Sequence, residues 1–140
     1  MTVKQIVTVL KNKPGELSRI VAQLYENDVN IIAFLVSPED KTATLRFIAS
    51  SPNAAISVLT GLGCKTKTKE VIAAKVPEHP GGLNSVLKVL HSANINIVHM
   101  YPCLQTPQPT LILEVDKIKP AVKVLQSNWI NLYDNKLYNL

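Results

Sequence analysis

Shifted by 66 residues, the chain aligns with itself without a gap from Pro14 to Thr60. Pro14-Gly15-Glu16-Leu17 falls on Pro80-Gly81-Gly82-Leu83, Asn30-Ile31 on Asn96-Ile97, and Thr44-Leu45 on Thr110-Leu111. Ala55, Val58 and Leu59 fall on Ala121, Val124 and Leu125. Eleven of the 47 matched positions are identical, well above what composition delivers, and many other pairs exchange one aliphatic side chain for another. The chain is a tandem duplication. Its period exceeds the roughly 20 to 50 residues of solenoid repeats, so each copy is expected to be a small domain, residues 1–70 and 71–140. Two copies fill the 140 residues, so no appended catalytic domain is expected. A lone domain of about 65 residues buries only about 60% of its unfolded surface, so the copies are expected to share an interface.

Composition narrows the class. With 46% hydrophobic and 18% charged residues the chain reads as a soluble globular protein. The longest apolar run, Ile31 to Val36, falls far short of the roughly 20 residues of a membrane span. Met-Thr-Val-Lys-Gln at the start lacks the apolar core of a secretory signal, and the expected location is cytoplasmic. Cys64 and Cys103 occupy non-equivalent places in the two copies, so no repeated disulfide or metal site is encoded and no metal or cofactor is expected. The net charge of +5 and isoelectric point near 9.3 raise the question of nucleic acid. Lys65, Lys67 and Lys69 alternate with Thr66 and Thr68, a pattern that serves to guard an exposed edge strand.

The same order of elements reads twice. Gln5 to Leu10 and Val71 to Val76 are β-branched, apolar and end before a proline-glycine turn. Leu17, Ile20, Val21 and Leu24, and again Leu83, Val86, Leu87 and Leu90, make one apolar helical stripe per copy. Ile31 to Val36 and Ile97 to Tyr101 are second strands, and Thr42 to Ala49 and Thr110 to Val115 third strands. Ser50 or Ser51, and Asp116, are the expected N-caps of second helices carrying Ala55, Val58, Leu59 and Leu62, and Ala121, Val122 and Leu125. Last strands are expected at about Lys65 to Lys69 and Ile130 to Tyr133. Strand, helix, strand, strand, helix, strand is the ferredoxin-like βαββαβ order, an α+β fold with an antiparallel sheet. Right-handed crossovers place both helices on one face.

Asn12-Lys13-Pro14-Gly15 ends a strand and opens a helix. Glycine lets the backbone approach a ligand closely, and the amides and dipole of the first helical turn favour an anion. Asn30 opens the second strand, and its amide offers both donor and acceptor, which suits the ammonium and carboxylate of an amino acid. The alternative is structural: proline-glycine pairs build turns, and Asn30 and Asn96 bond nearby backbone.

The element order, the Asn12-x-Pro14-Gly15-x-Leu17 stretch and the Val29-Asn30-Ile31 stretch resemble the ACT domain, as do Pro80-Gly81-Gly82-Leu83 and Ile95-Asn96-Ile97 in the second copy. The likeness covers nearly the whole chain, which looks like the small stand-alone tandem-ACT proteins. It implies regulatory binding of a free amino acid at strand–helix turns and at an interface where two ACT units extend one sheet. It also implies a homo-oligomer, most simply a dimer. The ligand set it implies is Asn12, Lys13, Pro14, Gly15, Glu16, Leu17, Asn30 and Ile31 in the first copy. In the second it is Glu78, Gly81, Gly82, Leu83 and Asn96. Here the copies diverge, because Glu78 stands where Asn12 stands and His79 replaces Lys13. Either the copies hold different ends of one ligand, or only the first copy binds.

Two other classes are weighed on residues. An enzyme needs a nucleophile with a base, an acid–base pair or a metal cage. His79, His91 and His99 all lie in the second copy, opposite Lys13, Tyr25 and Ala33, and make no such constellation, so no catalysis is expected. Single-strand RNA recognition on a ferredoxin-like sheet needs stacking aromatics on the central strands. Phe47 is the only aromatic in a first or third strand. A regulatory subunit that acts by contact with a metabolic enzyme is the remaining alternative. Charge without stacking predicts weak retention on nucleic acid that vanishes at moderate salt. A sequence-dependent complex that survives about 200 mM salt in a gel-shift titration would overturn that exclusion.

Overall fold

The computed structural model describes all residues, 1–140. Two compact units are present, one of residues Lys4–Lys69 and one of Met1–Val3 with Glu70–Leu140. The order of elements in the first is β1 (Val3–Lys11), α1 (Glu16–Glu26), β2 (Ile31–Glu39), β3 (Thr42–Ala49) and α2 (Pro52–Gly61). Then β4 (Thr66–Lys75) begins, and its second half opens the second unit. That unit continues with α3 (Gly82–Ser92), β5 (Ile97–Pro102), β6 (Thr110–Val115), α4 (Ile118–Ser127) and a short 3-10 helix (Asn135–Asn139).

Within the first unit β3 is antiparallel to both β1 and β2, with Leu10 opposite Ala43 and Val36 opposite Leu45. In the second unit β6 is antiparallel to β4 and β5, with Ala74 opposite Leu111 and Tyr101 opposite Ile112. Each sheet carries its helices over an apolar core. Ile20 and Leu24 of α1 with Ala55 and Leu59 of α2 close the first core over Ile6, Leu45 and Phe47. Val86 and Leu90 with Ala121 and Leu125 close the second over Ile72, Ala74 and Leu113. These four helical pairs are equivalent under the 66-residue shift, so the duplication preserves the packing as well as the order. The helical stripes are narrower than expected, because Val21 and Leu83 are exposed at their edges.

Three expectations are corrected. The strands anticipated at Lys65 to Lys69 and Val71 to Val76 are one strand, β4. No Gly, Pro, Asn or Asp stands between Thr66 and Val76 to break it. The strand anticipated at Ile130 to Tyr133 is reduced to a single bridge, Ala74 to Leu132, flanked by bonds from Lys75 N to Asn131 O and Tyr133 N to Ala73 O. Beyond it Asp134 accepts the Lys136 amide at 2.9 Å and turns the chain into the 3-10 helix. Finally, Ser51 occupies the N-cap of α2 as expected but makes no side-chain capping bond, Lys117 rather than Asp116 occupies that of α4, and Ser50 and Asp116 bond elsewhere. Ser50 Oγ accepts the Asn30 amide and Asp116 Oδ1 the Asn96 amide, each at 2.9 Å, while the amides of residues 50 and 116 return bonds to the carbonyls of 30 and 96. These reciprocal pairs pin the start of β2 to the end of β3, and of β5 to the end of β6.

Gly82 shows how tightly the second repeat is built. A Cβ at this position would overlap the Pro77 carbonyl oxygen. Gly82→Ala is expected to lower stability by about 2 kcal/mol or more, since the obstructing atom is backbone. Gly61→Ala, in open space at the end of α2, is expected to raise it by about 0.4 to 1 kcal/mol through the unfolded state. Urea denaturation of both variants checks the contrast.

Candidate functional site

The two strand–helix turns share one geometry. Gly15 and Gly81 occupy the N-cap positions of α1 and α3 at φ 87 and 86, in the left-handed region that favours glycine. Lys13 N bonds Lys11 O and Glu16 N bonds Lys13 O. In register, His79 N bonds Pro77 O and Gly82 N bonds His79 O. The first amides of a helix have no intrahelical partner, and a glycine N-cap has no side chain with which to cap them. Each turn thus satisfies its first helical amide, Glu16 N or Gly82 N, and gives the following ones no side-chain cap, and Lys13, Pro14, Gly15, Gly81 and Leu83 are exposed there while Gly82 is buried.

Asn12 has a structural task. Its Nδ2 donates to Asp40 O at 2.8 Å and its backbone amide to Lys41 O at 3.0 Å, so it ties the β1–α1 turn to the β2–β3 turn. The side chain still has its carbonyl oxygen and the second Nδ2 hydrogen to offer a ligand, the oxygen being an acceptor suited to an ammonium group. Glu78 is exposed at the equivalent point of the second turn.

Around the first turn lies an open cavity of about 460 Å³ that includes Lys11, Glu16, Arg19, Cys64 and Lys65 in its lining. Arg19 Nε lies 3.2 Å from Glu16 Oε1. This hydrogen bond holds the Glu16 carboxyl below the usual carboxylate range and the Arg19 guanidinium above its ordinary value. The second turn borders a cavity of about 580 Å³ lined by Glu78, His79, Gly82, Leu83 and Leu87 among others. The first cavity thus carries three cations and a carboxylate, the second a carboxylate and an imidazole.

Asn30 and Ile31 do not join Asn12 to Leu17. The end of β1 pairs at Lys11 with Thr42, and the start of β2 pairs at Ile31 with Ala49. Seven residues of strand separate the two points, about 24 Å. In the second repeat Lys75 pairs with Thr110 and Ile97 with Val115, so Asn96 likewise stands at the end of the sheet away from Glu78, Gly81, Gly82 and Leu83. A small polar cavity of about 280 Å³ surrounds it, lined by His91, Asn94, Asn96, Asp116 and Lys117. The candidate ligand residues of each repeat therefore fall into two groups, one at either end of its sheet.

Glu114 escaped the sequence reading. It is buried on β6, and its Oε1 lies 3.2 Å from His99 Nδ1 on the neighbouring strand. The signal was there in the self-alignment, where Glu114 falls on Ile48, a charge on an apolar strand position. Burial also pushes the Cys103 thiol up to about 12.

A family model of the ACT domain pair matches residues 1–140. The chain belongs to the ACT domain family. Among solved structures, protein BT0572 from Bacteroides thetaiotaomicron superposes with a TM-score of 0.91 at 25% identity, over 100% of this chain and 98% of that one. The ligand-free regulatory subunit of aspartate kinase from Thermus thermophilus gives 0.64 at 12% identity, over 90% of each chain. Aspartokinase III of E. coli, in complex with lysine and aspartate, gives 0.50 at 17% identity, over 91% of this chain and 30% of that one. No curated protein matches the sequence. No helix of the chain is long and apolar enough to cross a membrane.

The thiol yields a direct check. At pH 8 an unfolded cysteine, with a pKa of about 8.5, is partly thiolate, whereas folded Cys103 holds its proton. Its labelling by a disulfide reagent is expected to be about a thousandfold slower in the native ACT pair than in urea, read by mass spectrometry of the Cys103 peptide. Because the folded value is raised, Cys103 contributes stability that is complete below the unfolded value and declines as pH rises toward 12.

Proposed function

We propose that this ACT pair is a non-catalytic sensor of a free amino acid, which takes the ligand carboxylate at the β1–α1 turn of the first repeat. The observation that carries this reading is the uncapped first turn of α1 behind Gly15, beside a cavity lined by Lys11, Arg19 and Lys65. Backbone donors and three cations favour an anionic group there, and the remaining acceptor oxygen of Asn12 suits the ammonium. Glu78 makes the second turn the poorer carboxylate site. Each repeat separates its turn from its asparagine by the length of a sheet, so neither holds both halves side by side. A second copy of the chain can supply the missing half, which supports a homodimer in the cytoplasm as the working form. The aspartate kinase regulatory subunit that shares this fold supports a regulatory role, with a metabolic enzyme as the recipient of the signal.

The test is a thermal-shift screen of the full chain against the twenty amino acids, followed by calorimetry with the best ligand. Ligand at about a hundred times its dissociation constant contributes about 2.7 kcal/mol, a rise of several degrees for a chain of this length. Asn12→Ala and Asn30→Ala are expected to weaken binding by about 1 to 3 kcal/mol each. Asn96→Ala is expected to cost less, and Glu78→Gln to improve carboxylate binding in the second repeat. Absence of any shift, with calorimetry silent at millimolar ligand, would sink the sensor reading. Loss of binding in Asn96→Ala with Asn12→Ala unaffected would move the working site to the second repeat.

A further inference from the structure

Trp129 is the only tryptophan of the chain and is 92% exposed. It stands just beyond α4 at φ 63, in the left-handed region. All four helices are closed by a residue in that conformation, and the other three are Asp28, Gly63 and Asn94. Under the 66-residue shift Trp129 falls on Gly63. Glycine, aspartate and asparagine are the residues that tolerate this backbone, whereas a bulky side chain there is an outlier. Its indole lies in water, so burial does not offset the strain. A large aromatic retained at a position that disfavours it, and contributing nothing to the core, is suited to contact with another molecule.

Its surroundings select the kind of molecule. Between α3 and α4 runs an open groove of about 590 Å³ whose apolar floor includes Val89, Ala93 and Val124. Ser85, Lys88 and Asn128 also line it, and Asn128 directly precedes Trp129. Neither α3 nor α4 contains an aspartate or glutamate. Lys88 of α3 and Lys119 and Lys123 of α4 are all exposed. In the first repeat α1 carries Glu16 and Glu26, and α2 carries no charge. The helix layer of the second repeat alone combines unopposed positive charge, an apolar groove and a solvent-facing indole.

We propose that this layer docks an acidic segment of a partner protein that also bears apolar side chains. The apolar groups enter the groove at Val89 and Val124. Carboxylates face Lys88, Lys119 and Lys123, and Trp129 closes over the end of the segment. A nucleic-acid backbone would engage the lysines but leave the apolar floor unfilled. A bilayer needs a convex apolar surface, and this one is concave. A second copy of the chain has no matching element, because the only acid-bearing helix, α1, also carries Arg19 between its two glutamates. The surface is independent of the amino-acid site, and failure of either reading leaves the other standing.

The test selects a random-peptide display library against the full chain and measures the enriched peptides by calorimetry and by tryptophan emission. Enriched sequences are expected to be acidic with interspersed apolar residues, and their binding to shift Trp129 emission to the blue and to weaken with salt. Lys88→Glu combined with Lys123→Glu is expected to weaken them at least about tenfold. Trp129→Gly is expected to do the same while leaving the melting temperature unchanged or raised, since it restores the residue type of Gly63. Enriched peptides that are neutral or basic, or that bind Trp129→Gly undiminished, would overturn the proposal. So would an emission shift produced by a single-stranded oligonucleotide or phosphatidylserine vesicles but not by the peptides, or by self-association of the chain alone.

Discussion

Near the end of each helix one leucine carbonyl receives the amide five residues further on: Leu24 from Val29, Leu59 from Cys64, Leu90 from Ile95 and Leu125 from Ile130. Each bond spans a residue in the left-handed region and satisfies a carbonyl that the helix would leave unpaired. The same four leucines are fully buried against the sheets. One residue type thus does two tasks at one place: its side chain anchors the helix and its carbonyl reverses the chain toward the next strand. The direction in which β2 and β5 start follows from that reversal, and so does the distance between each turn and its asparagine.

What the sequence made legible is what repeats locally. The buried pairs Ile20 with Leu24 and Val86 with Leu90 follow from helical periodicity, and the left-handed turns from proline-glycine pairs. Contacts that depend on strand register were not legible. Ser50 and Asp116 have the chemistry of helix caps, and only the placement of β3 beside β2, and of β6 beside β5, shows them bonding the neighbouring strand instead. His99 meets Glu114 through a pairing that includes a register shift after Ile97, which no pattern of alternation reveals. The separation of Asn12 from Asn30 was implicit in the topology. A strand followed by a crossover helix returns the chain to the level at which that strand began.

At several matched positions the repeats differ in the chemical class of the side chain. Ala33 and Ile48 of the first correspond to His99 and Glu114 of the second, Asn12 to Glu78, and Gly63 to Trp129. Backbone geometry at these points is held while side chains change class, as the paired bonds of the two turns show. Physical constraint on the main chain and freedom at the side chain together let one ancestral unit take on two characters within the ACT family.

Glu16 and Gly82 occupy the same place in their repeats, yet only the first position has room for a side chain. The genetic consequence runs one way. A change that carried only the glutamate of the first turn into the second would drive its Cβ into the Pro77 carbonyl oxygen. The reverse copy would set a glycine where space already exists, at the cost of the Arg19 ion pair. Exchange of this one residue between the halves is therefore tolerated in one direction only.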